Sequence, residues 1–280
     1  MSNPVRERVK VIITTRFNVV FTDDHFLKDK SGSPTRTEAW LKRRFELFEQ
    51  VCLPSLQAQT DQDFEWLVFF SDGTPDPYKE RIRALQKQCP QLVPVFLYDG
   101  EYMVGRFKQE VAHRLTSTDT HLITARIDND DAFHRGMVAR VRAEFRGQDD
   151  ELLNFVHGLQ ADPDNGLAAI ATEYSNPFLS RIERVRDGQA LTVLDVQHTE
   201  AKDSKALRDI RTEPMWLQLI HGSNVTNRID SGRYIFRVDL AKDYGVKLGF
   251  RVSAGATLQA LLYFWCVRTP KRMVRTLLGR

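Results

Sequence analysis

Four short apolar runs, each followed by a helical pattern, constrain what this chain can fold into. The first is Val9-Lys10-Val11-Ile12-Ile13-Thr14, β-branched and too short for a buried helix. Phe64 to Phe70 (FEWLVFF), Leu92 to Leu97 and His121 to Ile127 repeat the type. Helical segments lie between them. Thr35 and Glu38 have the Thr-x-x-Glu spacing of a capping box, and Leu41, Phe45, Phe48 and Cys52 then share one face. Pro54 must kink or restart that helix. Asp76-Pro77 opens a second helix that ends before Pro90, and Arg106 to Leu115 forms a third.

Strand and helix alternating in this way predict an α/β fold, a mostly parallel sheet flanked by helices. Ligands of such sheets gather beyond the carboxyl ends of the strands. Thr15-Arg16, Asp72 and Asp128 each follow a predicted strand, so the pattern brings them to one rim. In the second half, Leu152–Val156, Leu167–Thr172 and Leu191–Val196 read as strands, and 214–220 fits either state. With no internal repeat and no low-complexity linker, one domain over 1–243 is expected, followed by a tail, 244–280.

The tail differs in charge. After Asp243 the chain has seven basic residues (Lys247, Arg251, Arg268, Lys271, Arg272, Arg275 and Arg280) and no acidic one; the whole chain is at +3, so the remainder is at −4. The run Leu258 to Trp265 is apolar, and Pro270-Lys271-Arg272-Met273-Val274-Arg275 mixes basic with apolar residues. That combination suits an interfacial helix on an anionic membrane surface, or the charged end of an ordinary core helix. No aromatic-basic motif supports nucleic-acid binding. The N-terminus lacks the pattern of a signal peptide, no apolar run has membrane-spanning length, and the three cysteines lack metal or disulfide spacing. These features predict buried thiols and a cytoplasmic protein, peripheral on the membrane at most.

Asp128-Asn129-Asp130-Asp131 carries the chemistry. Carboxylates two residues apart leave a strand end on one side. An Asp-x-Asp there can hold Mn²⁺ or Mg²⁺ together with substrate phosphates. The residues alone fit a solvated acidic turn as well.

Context narrows the choice. Ser55, Gln59, Thr60, Phe64, Glu65, Asp72 and Gly73 match in order and spacing the early region of inverting glycosyltransferases of the GT-A fold, and Ile127 to Asp131 resembles the Asp-x-Asp-Asp segment of those enzymes. Thr15-Arg16-Phe17-Asn18, Pro214-Met215-Trp216 and His221-Gly222-Ser223-Asn224 further resemble a bacterial rhamnosyltransferase family. The resemblance implies a GT-A domain that moves a deoxyhexose from a nucleotide-diphosphate sugar, such as dTDP-rhamnose, to a glycan or lipid-linked acceptor.

It also implies roles. Asp130 becomes the metal ligand, with Asp128 sharing the ion or contacting ribose and His221 completing the shell. Thr15, Arg16 and Asp72 approach the nucleotide. Arg106 pairs with the diphosphate. Glu213 is the base that deprotonates the acceptor, with Asp239 and Glu173 in reserve, and Trp216 stacks on a sugar. Each has a plainer reading: a turn aspartate, an exposed helix arginine, a structural histidine, a helix-start glutamate, a core tryptophan. Two rival functions remain, a nucleotidyltransferase on the same sheet and a non-catalytic scaffold at the membrane. The first calls for a glycine-rich loop after the first strand, and Val19 to Leu27 contains no glycine.

Overall fold

A computed structural model describes residues 7–19, 37–222, 229 and 232–269. The expected alternation is present. Strands β1 (Val9–Arg16), β2 (Glu65–Ser71), β3 (Leu92–Leu97) and β4 (His121–Arg126) are parallel neighbours in the order β4-β1-β2-β3. The central register sets Thr14 beside Arg126 on one side and beside Leu67 on the other. Helices α1 (Glu38–Leu47), α2 (Leu53–Gln57), α3 (Asp76–Gln88), α4 (Met103–Arg114) and α5 (Met137–Ala143) flank this half. The architecture is the expected α/β one, a mostly parallel sheet flanked by helices.

Thr37 caps α1 by accepting from the Trp40 amide at 3.2 Å. The expected cap, Thr35, lies outside the described residues. Proline 54 does restart the helix. Phe48–Cys52 widens into a π turn, and α2 begins with the proline in its first turn, where a missing amide donor costs nothing.

Three further strands extend the main sheet: β6 (Asp150–Phe155), β9 (Ser180–Arg184) and β10 (Leu207–Ile210), giving the order β10-β6-β9-β4-β1-β2-β3. Strand β9 runs antiparallel to both neighbours. Its sequence hid it, because Arg181 and Glu183 are buried within it. Arg181 tolerates burial by gripping Asp150 bidentately at 2.8 and 2.9 Å. The strand expected over Leu191–Val196 is instead a 3₁₀ turn, Val193–Asp195, closed by a Thr192–Asp195 capping box.

A second sheet is formed by β5 (Ala132–Phe133), β7 (His157–Asp162), β8 (Leu167–Thr172) and β11 (Trp216–Leu219), in the order β5-β11-β7-β8. The ambiguous 214–220 segment is thus mainly strand. The two sheets share one core, in which Phe133, Leu153, Phe155, Phe178 and Trp216 join residues of β1, β2 and α1.

Helices α6 (His198–Ala201), α7 (Leu240–Tyr244) and α8 (Ala254–Tyr263) complete the chain, α8 running on in π turns over Phe264–Arg268. The boundary expected after residue 243 falls inside α7. Tyr244 and Val246 are buried against Leu47, Val51 and Leu217, and Leu248, Phe250 and Val252 pack alongside. Gly245 ends α7 with φ +70°, and a Cβ there would lie 2.5 Å from that of Ala58. So the chain through residue 252 belongs to the body.

Candidate active site

Strand β4 delivers Ile127 to Asp131 to the carboxyl rim, and the neighbours fix the turn in place. The Ile127 amide donates to Thr14 O at 3.0 Å, and Asn129 Nδ2 donates to the carbonyls of Arg16 and Phe17 at 3.1 and 2.8 Å. Asn129 therefore anchors the acidic turn to the end of β1. Similarly, Asn18 bonds the Ser71 amide at 3.1 Å and Thr74 Oγ1 at 3.0 Å, tying β1 to the turn after β2. Arg16, Asp72 and Asp128 do converge on one rim, because β1 lies between β2 and β4.

The four motif residues have separate surroundings. Asp128 is exposed. Asp130 is buried, and its Oδ2 accepts from Arg44 Nη1 at 2.6 Å and from His221 Nε2 at 3.0 Å. Burial alone would push this carboxyl up. The Arg44 charge and the bonds from His221 and Arg44 outweigh it and hold the group well below the usual carboxylate range. Asp131 is pushed the other way, by burial and then by the charges of Asp130 and Asp128. Its Oδ1 accepts from the Leu219 amide at 3.0 Å, so it fastens β11 to the motif. His221 follows β11, and that tether carries it to Asp130.

Two arginines that the sequence did not single out complete the rim. Arg44 reaches over from α1, where it stacks on Trp40 at 5.2 Å and also donates to Asn129 Oδ1 at 3.1 Å. Its only sequence signal is a place one residue before Phe45, at the edge of the apolar face. Arg126 ends β4. Its Nε donates to Pro177 O at 2.8 Å, while its Nη2 is buried with no hydrogen-bond partner among the described residues. Burial lowers its pKa to about 10, Asp128 opposing and Arg16 reinforcing the shift. A cation ending a buried strand just before an acidic turn was the signal for it.

Four of the sequence-assigned residues sit in surroundings other than those expected. Thr15 is buried, and its hydroxyl accepts from Trp66 Nε1 at 2.8 Å, so it faces the core and not a nucleotide. Arg106 is held by Glu110 at 2.9 Å and Glu101 at 3.2 Å, so carboxylates occupy the fork that a diphosphate needs. Trp216 is 1% exposed, stacks on Phe178 at 4.8 Å and donates to Phe155 O at 2.7 Å, which leaves no face for a sugar. Glu213 precedes β11, at the end away from Leu219 and His221. Its charge reaches His134 and Tyr244, and the length of β11, about 10 Å at 3.3 Å per residue, intervenes before the carboxylates. Of its reserves, Asp239 caps α7 by accepting from the Lys242 amide at 3.0 Å. Glu173 follows β8, beside the His157 end of β7. Asp72, by contrast, keeps an exposed carboxylate, since Ser71 Oγ makes the turn bond to the Gly73 amide at 3.1 Å.

A divalent ion fits here in a limited way. Among the described residues no three His, Cys, Asp or Glu side chains form a ready cage. Asp130 and His221 nevertheless supply an oxygen and a nitrogen of the right chemistry. Asp128, two residues before Asp130 in the same turn, is exposed. Substrate phosphates would supply the rest, as is usual for Mg²⁺.

The model of one protein family, described as "Putative rhamnosyl transferase", matches residues 15–233. The chain belongs to this family. The family description names a glycosyl-transfer activity. No curated protein matches the chain. Solved structures similar to it include S. aureus TarS 1-349 in complex with UDP, at 10% identity and TM-score 0.44, covering 75% of this chain and 60% of that one. A nucleotide-diphospho-sugar transferase of Desulfovibrio desulfuricans G20 is similar at 9% identity and TM-score 0.35, covering 75% and 82%. The rhamnosyl transferase family chain thus spans less than two thirds of the TarS fragment, and at these scores the likeness says nothing of its site.

Proposed function

We propose that this glycosyltransferase moves a deoxyhexose, rhamnose in the first instance, from a nucleotide-diphosphate sugar to a glycan or lipid-linked acceptor with inversion at the anomeric carbon. The observation that carries the reading is the buried Asp130, ionised and held by Arg44 and His221 at the carboxyl rim of β1 and β4. The family description supports the sugar. Inversion follows from a single displacement, in which the acceptor hydroxyl attacks the anomeric carbon as the diphosphate leaves.

Roles follow from placement. Asp130, with His221 and Asp128, would hold a Mn²⁺ or Mg²⁺ ion. Such an ion neutralises negative charge on a departing diphosphate. Arg126, with a buried Nη2 hydrogen unused by the described residues, and Arg16 beside it present cations to the phosphates. Asp72, exposed after β2, accepts from the base or ribose. Arg44 keeps Asp130 anionic and oriented before substrate arrives.

The test is a screen of nucleotide sugars against the purified protein, read out as released nucleoside diphosphate, with and without Mn²⁺, and repeated on Asp130→Ala. Turnover of a nucleotide-deoxyhexose that is lost in EDTA and in the variant, with melting behaviour retained, is the expected result. Full activity of Asp130→Ala, or of the wild type in EDTA, would remove the metal from the reading. Absence of turnover or binding with every nucleotide sugar would remove the donor site itself.

A further inference from the structure

Helix α8 and its π-turn extension cover residues 254–268, and the first fourteen of these, Ala254 to Val267, include no charged side chain. The inner face is seated on the body. Thr257 is buried, and Phe264 fills the space above Gly232, where a Cβ would come within 2.3 Å of the ring. The outer face is not covered. Leu258 is 55% exposed, Leu262 57%, Tyr263 59% and Trp265 61%. Leu258, Leu262 and Trp265 follow one another at i, i+4 and i+7, so they form a single stripe. Cys266, expected to be a buried thiol, is exposed on the same helix, whereas Cys52 and Cys89 are buried.

A helix apolar on both faces has to bury the second one against something. The charge of the adjoining segment indicates the chemistry of that cover. Arg268, Lys271, Arg272, Arg275 and Arg280 are all basic, with no acidic residue among them. Positive charge alone would serve any polyanion, but the charged backbone of a nucleic acid does not bury exposed Leu258 and Leu262. An anionic leaflet satisfies both features, headgroups taking the cations and the acyl boundary taking Leu258, Leu262 and Trp265. No helix among the described residues is long and apolar enough to cross a membrane, so this one would lie in the surface plane.

We infer that the outer face of α8, with the basic residues that succeed it, docks this protein on an anionic lipid surface. This inference is independent of the transferase reading and of the metal.

The test uses the intact chain with vesicles of phosphatidylcholine alone and of phosphatidylcholine mixed with phosphatidylglycerol. Expected are binding to the anionic vesicles only, weakening with salt, and a blue shift in the emission of Trp265. Replacing both Lys271 and Arg272 by glutamine should weaken binding about thirtyfold, at roughly fivefold per cation. Leu262→Gln should weaken it as well, while Trp265→Leu should keep the binding and abolish the blue shift. Leu262 and Trp265 are exposed, and unchanged melting curves of every variant would show the fold intact. Equal binding to neutral and anionic vesicles, or none to either, would overturn the inference. So would a stable dimer in solution that Leu262→Gln dissolves, since a second copy would then be the cover.

Discussion

Nη1 of Arg44 lies 2.6 Å from Oδ2 of Asp130, and both side chains are largely out of water, at 14% and 9% exposure. The pair joins α1 to the turn after β4, and the same oxygen receives His221. Two cationic or donating partners on one buried carboxylate oxygen keep it charged and aimed, at the position that any ion or phosphate must reach.

Breaking this pair should be costly in a diagnostic way. Arg44→Met removes a charged partner from the buried Asp130, and losing one partner of a buried ion pair costs about 3–5 kcal/mol. Without divalent ions the variant should melt well below the wild type. Added Mn²⁺ should restore more stability to the variant than it adds to the wild type, because a cation at Asp130 replaces the missing charge. Thermal denaturation with and without Mn²⁺ measures both; an equal response of the two proteins would mean that the ion does not bind at Asp130.

Glu213→Gln makes the opposite prediction. The residue is exposed and lies at the far end of β11 from His221, so turnover should stay within about twofold of wild type. Loss of kcat by a hundredfold or more, the range expected on removing a general base, would place the acceptor at that end.

These contrasts show how far the sequence could be read. The parallel half was legible because β1, β2 and β4 are buried on both faces over most of their length and so show as apolar runs, as in Trp66 to Phe70. The acidic turn was legible because it follows such a run. Strand β9 was not, since its ion-paired Arg181 and its Glu183 look like surface residues. Among the site residues, Asp130 and His221 share a site through a contact 91 residues apart. Arg44 reaches across 86 residues to the same atom, and nothing in local spacing announces that meeting. Trp216 misled because an indole in the Pro214-Met215-Trp216 segment looks like a sugar platform until its neighbour across the strands, Gly158, is known.

Glu183 predicts a pH dependence. Burial, aided by Asp150 and Asp195 and opposed by Arg181 and the Leu191 amide, raises its carboxyl to about 8, against an ordinary 4.5. In this window the folded chain keeps a proton that the unfolded chain has lost. Its contribution is therefore full below the ordinary value and is lost as pH rises through about 8. Glu183→Gln cannot ionise. The stability of the variant relative to wild type should accordingly increase across the window, by up to about 1.4 kcal/mol per pH unit. Chemical denaturation at several pH values gives the slope; parallel curves for the two proteins would show that Glu183 is ionised in the fold.

Gly158 is paired with Trp216 across β7 and β11, and a Cβ placed on it would come within 2.1 Å of the indole. No rotamer adjustment of a ring stacked on Phe178 and bonded to Phe155 O accommodates that. Gly158→Ala should therefore displace Trp216 and with it β11, the strand that carries His221 and meets Asp131 through the Leu219 amide. We expect a loss of about 3 kcal/mol or more, at the upper end of overpacking costs. Trp216→Ala, which empties the same space, should cost about 3–5 kcal/mol. The double variant separates strain from cavity. If the alanine at 158 is harmful only because it meets the indole, its penalty should nearly vanish in the Trp216→Ala background. Additive losses would mean that Gly158 is needed for its backbone freedom and not for the room it leaves.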